Sequence, residues 1–147
     1  GMASPASVRF DPAVAARLSR FVAAHPGLSA SAATNLLVDE ALRSQEHPLI
    51  VFRDGPAGRR ARLVGGPDVW ELGAAVRSAR AAETDITADE LVELVAATSG
   101  VVPRLVRAAI DYWTAYPAEI DGWITRAAEE AAEAQHRWAR EQALLGR

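Results

Sequence analysis

The fold turns on ASVRFDPAVAARL, residues 6–18, in which apolar side chains first alternate and then recur at helical spacing. Ala6, Val8 and Phe10 fall on one face of an extended segment, which leaves Ser7 and Arg9 on the other. Asp11-Pro12 then opens a helix, with a short acceptor at the cap and, in the first turn, a residue whose missing N–H would be unpaired there anyway. No hairpin partner follows the strand, so its backbone groups must find an edge elsewhere.

Outward from this stretch, the first helix runs to about Ala24 with Val14, Leu18, Phe21 and Val22 as its inward stripe, and His25-Pro26-Gly27 ends it. Ser29 caps a second helix reaching about Gln45, with Leu36, Leu37, Ala41 and Leu42 inward. Strand, helix and helix span about 40 residues, too few to bury a core alone.

His47-Pro48 breaks the helical pattern, and LIVFRDGPAGRRARLVGG reads as strands 49–53 and 60–64 around the turn DGPAG. Arg53, Arg59, Arg60 and Arg62 gather there, either as a wing that touches phosphates or as the solvated face of a hairpin. Gly66-Pro67-Asp68 starts a helix offering Val69, Trp70, Leu72 or Gly73, and Val76 for packing. TADE at 87–90 has the form of a capping box and begins the next helix. A turn at Ser99-Gly100 leads to a third, and Leu91, Leu94, Val95, Leu105, Val106, Ala109 and Ile110 form their common core. This is helix-turn-helix spacing with Arg104 and Arg107 outward, a pattern shared by units that bind DNA and by units that only pack or dimerise. The neighbouring acids Asp85, Asp89, Glu90 and Glu93 disfavour a phosphate-facing surface.

From Pro117 a last helix carries Ile120, Ile124, Ala127, Ala131, Ala134 and Trp138 at 4-3-4-3-4 spacing. Three alanines make this a thin seam, suited to packing on its own domain, on a second subunit or along another protein. Charge divides along the chain, with eight Arg against five acids in residues 1–66 and eight against fourteen in residues 67–147, net +3 and −6. The two ends therefore suit different partners.

Composition excludes several classes. The absence of cysteine removes disulfides, thiolate metal sites and a cysteine nucleophile, and fits a reducing cytoplasm. The longest stretch free of Asp, Glu and Arg, from Phe21 to Val38, carries His, Pro, Gly, Ser, Thr and Asn and is a poor membrane span. His25, His47 and His136 stand apart, no His pair sits at i, i+4, and GPAGRR lacks the Lys-Ser/Thr of a phosphate loop. No enzyme, cofactor or metal site is expected.

Residues 6–46 resemble the ribbon-helix-helix family of bacterial repressors, through the alternating VRF strand, the helix start DPAV, the turn PGLS and the helix SAATNLLVDEAL. The resemblance implies that the orphan strand pairs antiparallel with the same strand of a second subunit and that the ribbon enters the DNA major groove. It places Ser7 and Arg9 against the bases and puts phosphates at the second helix's N-terminus, at Ser29, Ala30 and Ser31. The family often has a third polar reader where this chain has Pro5, so readout is thinner. GRRA at 58–61, GGPDVWE at 65–71, VRAAIDY at 106–112 and YPAEID at 116–121 extend the resemblance, over about residues 6–125, to VapB-type antitoxins of type II toxin-antitoxin pairs. In those proteins the C-terminal segment wraps a PIN-like ribonuclease toxin, which makes Arg137, Trp138, Arg140 and Arg147 the candidate toxin contacts.

The expected protein is mainly α. It has a ribbon-helix-helix unit over 5–46, a hairpin plus helix-turn-helix-like domain over 48–116 and an amphipathic helix over 117–147. Its expected role is that of a homodimeric, cytoplasmic antitoxin and autorepressor binding double-stranded DNA, with Arg59, Arg60, Arg62, Arg104 and Arg107 as a candidate second DNA surface. The alternatives are a stand-alone ribbon-helix-helix regulator whose second domain senses a ligand, and a dimeric interaction module that touches no DNA.

Overall fold

The computed structural model describes residue 5 and residues 7–146. It is mainly helical, with one two-stranded antiparallel sheet, and forms two compact units, one up to Arg43 and the other from Ser44 onward. Among the described residues no helix is long and apolar enough to cross a membrane.

In the first unit α1 (Pro12–Ala24) starts where Asp-Pro places it, and a turn through Gly27, at φ +96°, ends with α2 (Ala30–Glu46). Ser29 Oγ accepts the Ala32 N–H at 3.1 Å, the capping bond that a serine here should make. Within the single chain residues 7–10 are irregular, since it offers them no edge to pair with, and Ala6 lies outside the described residues. The apolar stripes are also not buried: α1 has no buried residue, and Ala33 is the one fully buried apolar side chain of the described part of this unit. Val8, Phe10, Val14, Val38 and Leu42 stay 67%, 37%, 37%, 52% and 57% exposed. Two short helices cannot enclose each other's apolar faces.

The second unit has a proper core. Strands β1 (Ile50–Arg53) and β2 (Arg60–Leu63) pair with Ile50 opposite Leu63 and Arg53 opposite Arg60, and the turn closes with reciprocal bonds between Gly55 and Gly58. Helices α3 (Val69–Ala82), α4 (Ala88–Ser99), α5 (Pro103–Ala115) and α6 (Pro117–Leu145) follow. Ile50, Leu63, Val69, Leu72, Val95, Val106, Tyr112 and Ile120 are almost wholly enclosed between them. Leu94, Leu105 and Ile110 are only partly covered. The close approach of α3 to its neighbours depends on Gly73, where a Cβ would meet Ile124 Cδ1 at 3.2 Å and the Trp113 ring at 3.5 Å.

Thr87 and Glu90 complete the capping box in both directions, at 3.1 and 3.2 Å. Gly100 ends α4 in the left-handed region, φ +70°, with nothing near its missing Cβ. Gly100→Ala therefore carries a purely conformational penalty, and urea denaturation should show a loss of about 1 kcal/mol.

Candidate functional site

The candidate residues divide between the two units. Ser7 and Arg9 are exposed on the irregular segment before α1. Ser29, Ala30 and Ser31 occupy the start of α2 at exposed positions. Amides of a first helical turn have no acceptor within the helix, and Ser29 takes up that of Ala32. Thr34 Oγ1, one turn on, donates back to the Ala30 carbonyl at 2.7 Å.

In the second unit the arginines of the hairpin are largely engaged. Asp68, 5% exposed, caps α3 in position but gives its N–H groups no side-chain bond. Its carboxylate is held instead by Arg60 and by Arg62 Nε at 3.1 Å, and accepts the Trp70 Nε1 hydrogen at 3.1 Å. Arg62 also donates to the Gly66 carbonyl, and Arg59 pairs with Asp54 at 3.3 Å. The fold thus brings Arg60 and Arg62 together on one buried carboxylate rather than presenting them as a free basic stripe. On α5, Arg104 and Arg107 are exposed as expected, with Arg107 bonded to Asp89 at 2.8 Å.

Beside Asp68 lies a cleft of about 410 Å³ that sequence reasoning missed. Trp70 and Glu71 at the start of α3 form one wall, and Trp123, Arg126 and Glu130 on α6 form the other. The Arg126 guanidinium stacks 4.0 Å over the Trp123 ring. The walls lie more than 50 residues apart in the chain, so no local pattern announces them.

Glu71 has its pKa raised from 4.5, chiefly by burial and then by the Asp68 charge, with Arg62 and Arg60 opposing. A carboxyl raised on folding binds protons more tightly in the native state, so the stability this group contributes is fully present below the unfolded value and is lost as pH rises through the folded one. Glu71→Gln should flatten that decline above pH 4.5 and raise stability at neutral pH, as thermal melts across a pH series would show.

The last candidates lie on α6. Ile120 is buried, Ile124 and Ala127 are partly covered, and from Ala128 to Gly146 every residue is exposed. Trp138 is 57% exposed, Arg137 reaches Glu133 only at 4.0 Å, Arg140 is exposed, and Arg147 lies outside the described residues. Among the described residues no three His, Asp or Glu side chains form a group able to hold a metal ion. No family model, curated protein or solved structure matches this chain.

Proposed function

We propose that the chain is a homodimeric DNA-binding regulator of ribbon-helix-helix type, acting as antitoxin and autorepressor of a toxin-antitoxin pair. The observation that carries this reading is the uncovered apolar set of the first unit: Val8, Phe10, Val14, Val38 and Leu42. A unit this small gains stability only when a second copy covers that set, and pairing residues 7–10 with their equivalents satisfies the strand backbone in the same step. Val8 and Phe10 then turn inward, and Ser7 and Arg9 face the major groove. The amides of Ala30 and Ser31 flank the groove and take phosphate oxygens. The exposed end of α6, with Trp138, Arg137 and Arg140, is the element on which a PIN-like ribonuclease would dock.

One observation favours a second reading, a stand-alone regulator. The cleft between Trp70 and Trp123 is large enough for a small effector.

The test is binding of the purified protein to DNA from upstream of its own gene, across a salt series, beside Arg9→Ala. Specific binding should weaken steeply with salt, and Arg9→Ala should cost about 1–3 kcal/mol of discrimination against mismatched sites. Specific binding that survives Arg9→Ala would move readout to Arg104 and Arg107. Dimers without salt-dependent DNA binding would leave an interaction module.

A further inference from the structure

The outer half of α6 is the largest unpartnered element among the described residues, and its side chains carry an order of their own. The seam that packs inward through Ile120, Ile124 and Ala127 continues through Ala131, Ala134 and Trp138 after the helix has left the core, is interrupted at Glu141 and Gln142, and resumes at Leu145. Trp138 is 57% and Leu145 71% exposed. Glu129, Glu130 and Glu133 come first along this half, Arg137 and Arg140 follow, and Glu141 comes after them. Glu130, Glu133 and Arg137 border a shallow groove with Ala134, so acid and base share one flank of the seam.

We propose that this half of α6 pairs antiparallel with the same helix of a second copy of the chain, about a two-fold axis beside Ala134. The charge order decides the partner and the direction. A parallel pair would set every charged residue level with its own copy, whereas an antiparallel pair sets Glu133 opposite Arg137 and Glu130 opposite Arg140, twice over by symmetry, against one like-charge match, Glu129 level with Glu141. To within one residue, about 1.5 Å along the helix, the same register places Trp138 level with Ala131 of the second copy, a large side chain against a small one on both sides of the axis. It also brings Leu145 of the second copy level with Ile124, beside the Trp70–Trp123 cleft. Both apolar side chains that the seam leaves in water are then covered. The paired stretch, residues 128–145, is about five turns or 27 Å long.

This inference goes beyond the DNA-binding reading and does not depend on it; because it covers the same face on which the ribonuclease would dock, self-pairing belongs to the free protein and the two occupants exclude each other. Pairing through α6 either closes the same two chains at a second place or joins two ribbon dimers into a tetramer.

The chain has no cysteine, so single cysteines report the geometry directly. Full-length Ala134→Cys, oxidised with diamide, should cross-link into covalent dimers. Ala131→Cys, displaced along the axis, and His136→Cys, on the far face, should not. In the background of Ala134→Cys, the double reversal Glu130→Arg/Glu133→Arg should weaken association about tenfold, and Arg137→Glu/Arg140→Glu should do the same. Combining the four reversals should restore it, since the charges are exchanged rather than lost. Circular dichroism checks that these exposed substitutions leave the helix intact. Efficient cross-linking of Ala131→Cys would establish a parallel pair and overturn the proposal. Failure of Ala134→Cys to cross-link in the free protein would overturn it too, and would leave the face to a different protein. Neither result depends on DNA binding, which Arg9→Ala reads separately.

Discussion

Asp68→Ala should lower the stability of the second unit by about 3 kcal/mol. The carboxylate is 5% exposed and holds Arg60, whose side chain is 20% exposed, together with Arg62 and the indole of Trp70. Removing one partner of a buried ion cluster leaves the others uncompensated, which is costlier than never having built the cluster. Arg62, at 41% exposure, can recover water, and that keeps the effect at the lower end of the buried-pair range. Asp68→Asn keeps an acceptor for Trp70 but no charge, so it should recover only part of the loss. Urea unfolding followed by tryptophan emission measures both variants. A loss under about 1 kcal/mol for Asp68→Ala would mean that water screens the cluster as it screens a surface pair.

The second large effect should come from Tyr112, whose side chain is the largest that the core fully encloses. Its ring meets Phe52 of the hairpin, Tyr116 and His47, with centroids 6.3, 4.7 and 5.3 Å away. Its hydroxyl donates to Glu119 Oε2 at 2.6 Å, tying α5 to the first turn of α6. Tyr112→Ala removes the ring from between hairpin and helices and should cost about 3–5 kcal/mol, enough to unfold a unit of ordinary stability. Tyr112→Phe keeps the packing and loses one charge-assisted bond, about 1–2 kcal/mol, which in a domain of about 100 residues lowers Tm by roughly 4–15 °C. Calorimetry separates the two: a similar drop for both would locate the contribution in the hydroxyl, not the ring.

Much of the second unit is legible in the chain because its signals are local. The reciprocal bonds of Thr87 and Glu90, the left-handed Gly100, Pro103 in the first turn of α5 and the turn DGPAG each act within about four residues. They place the helix ends and the hairpin without reference to the rest of the molecule. The first unit shows where such signals stop. Its helices begin and end where Pro12, Gly27 and Ser29 put them, yet along the stripe Leu18, Phe21 and Val22 are only half-buried and Val14 is exposed in the single chain. Periodicity says which face is apolar and says nothing of what lies against it.

The surroundings of the hairpin arginines are beyond local signals for a related reason. Arg59, Arg60 and Arg62 form a cluster on the page, but β2 runs beside the start of α3, and there Arg60 and Arg62 close on Asp68. The Trp70–Trp123 cleft arises the same way, from α6 crossing near α3. Helix ends, turn chemistry and the identity of the apolar faces were determined by the sequence alone, because caps, glycines and side-chain spacing act over a few residues. The capture of Arg60 and Arg62 by a buried carboxylate, the tryptophan cleft and the departure of the α6 seam from the core were decided only by the tertiary structure. Those depend on desolvation and on which distant surfaces meet, and neither is set until the chain has closed on itself.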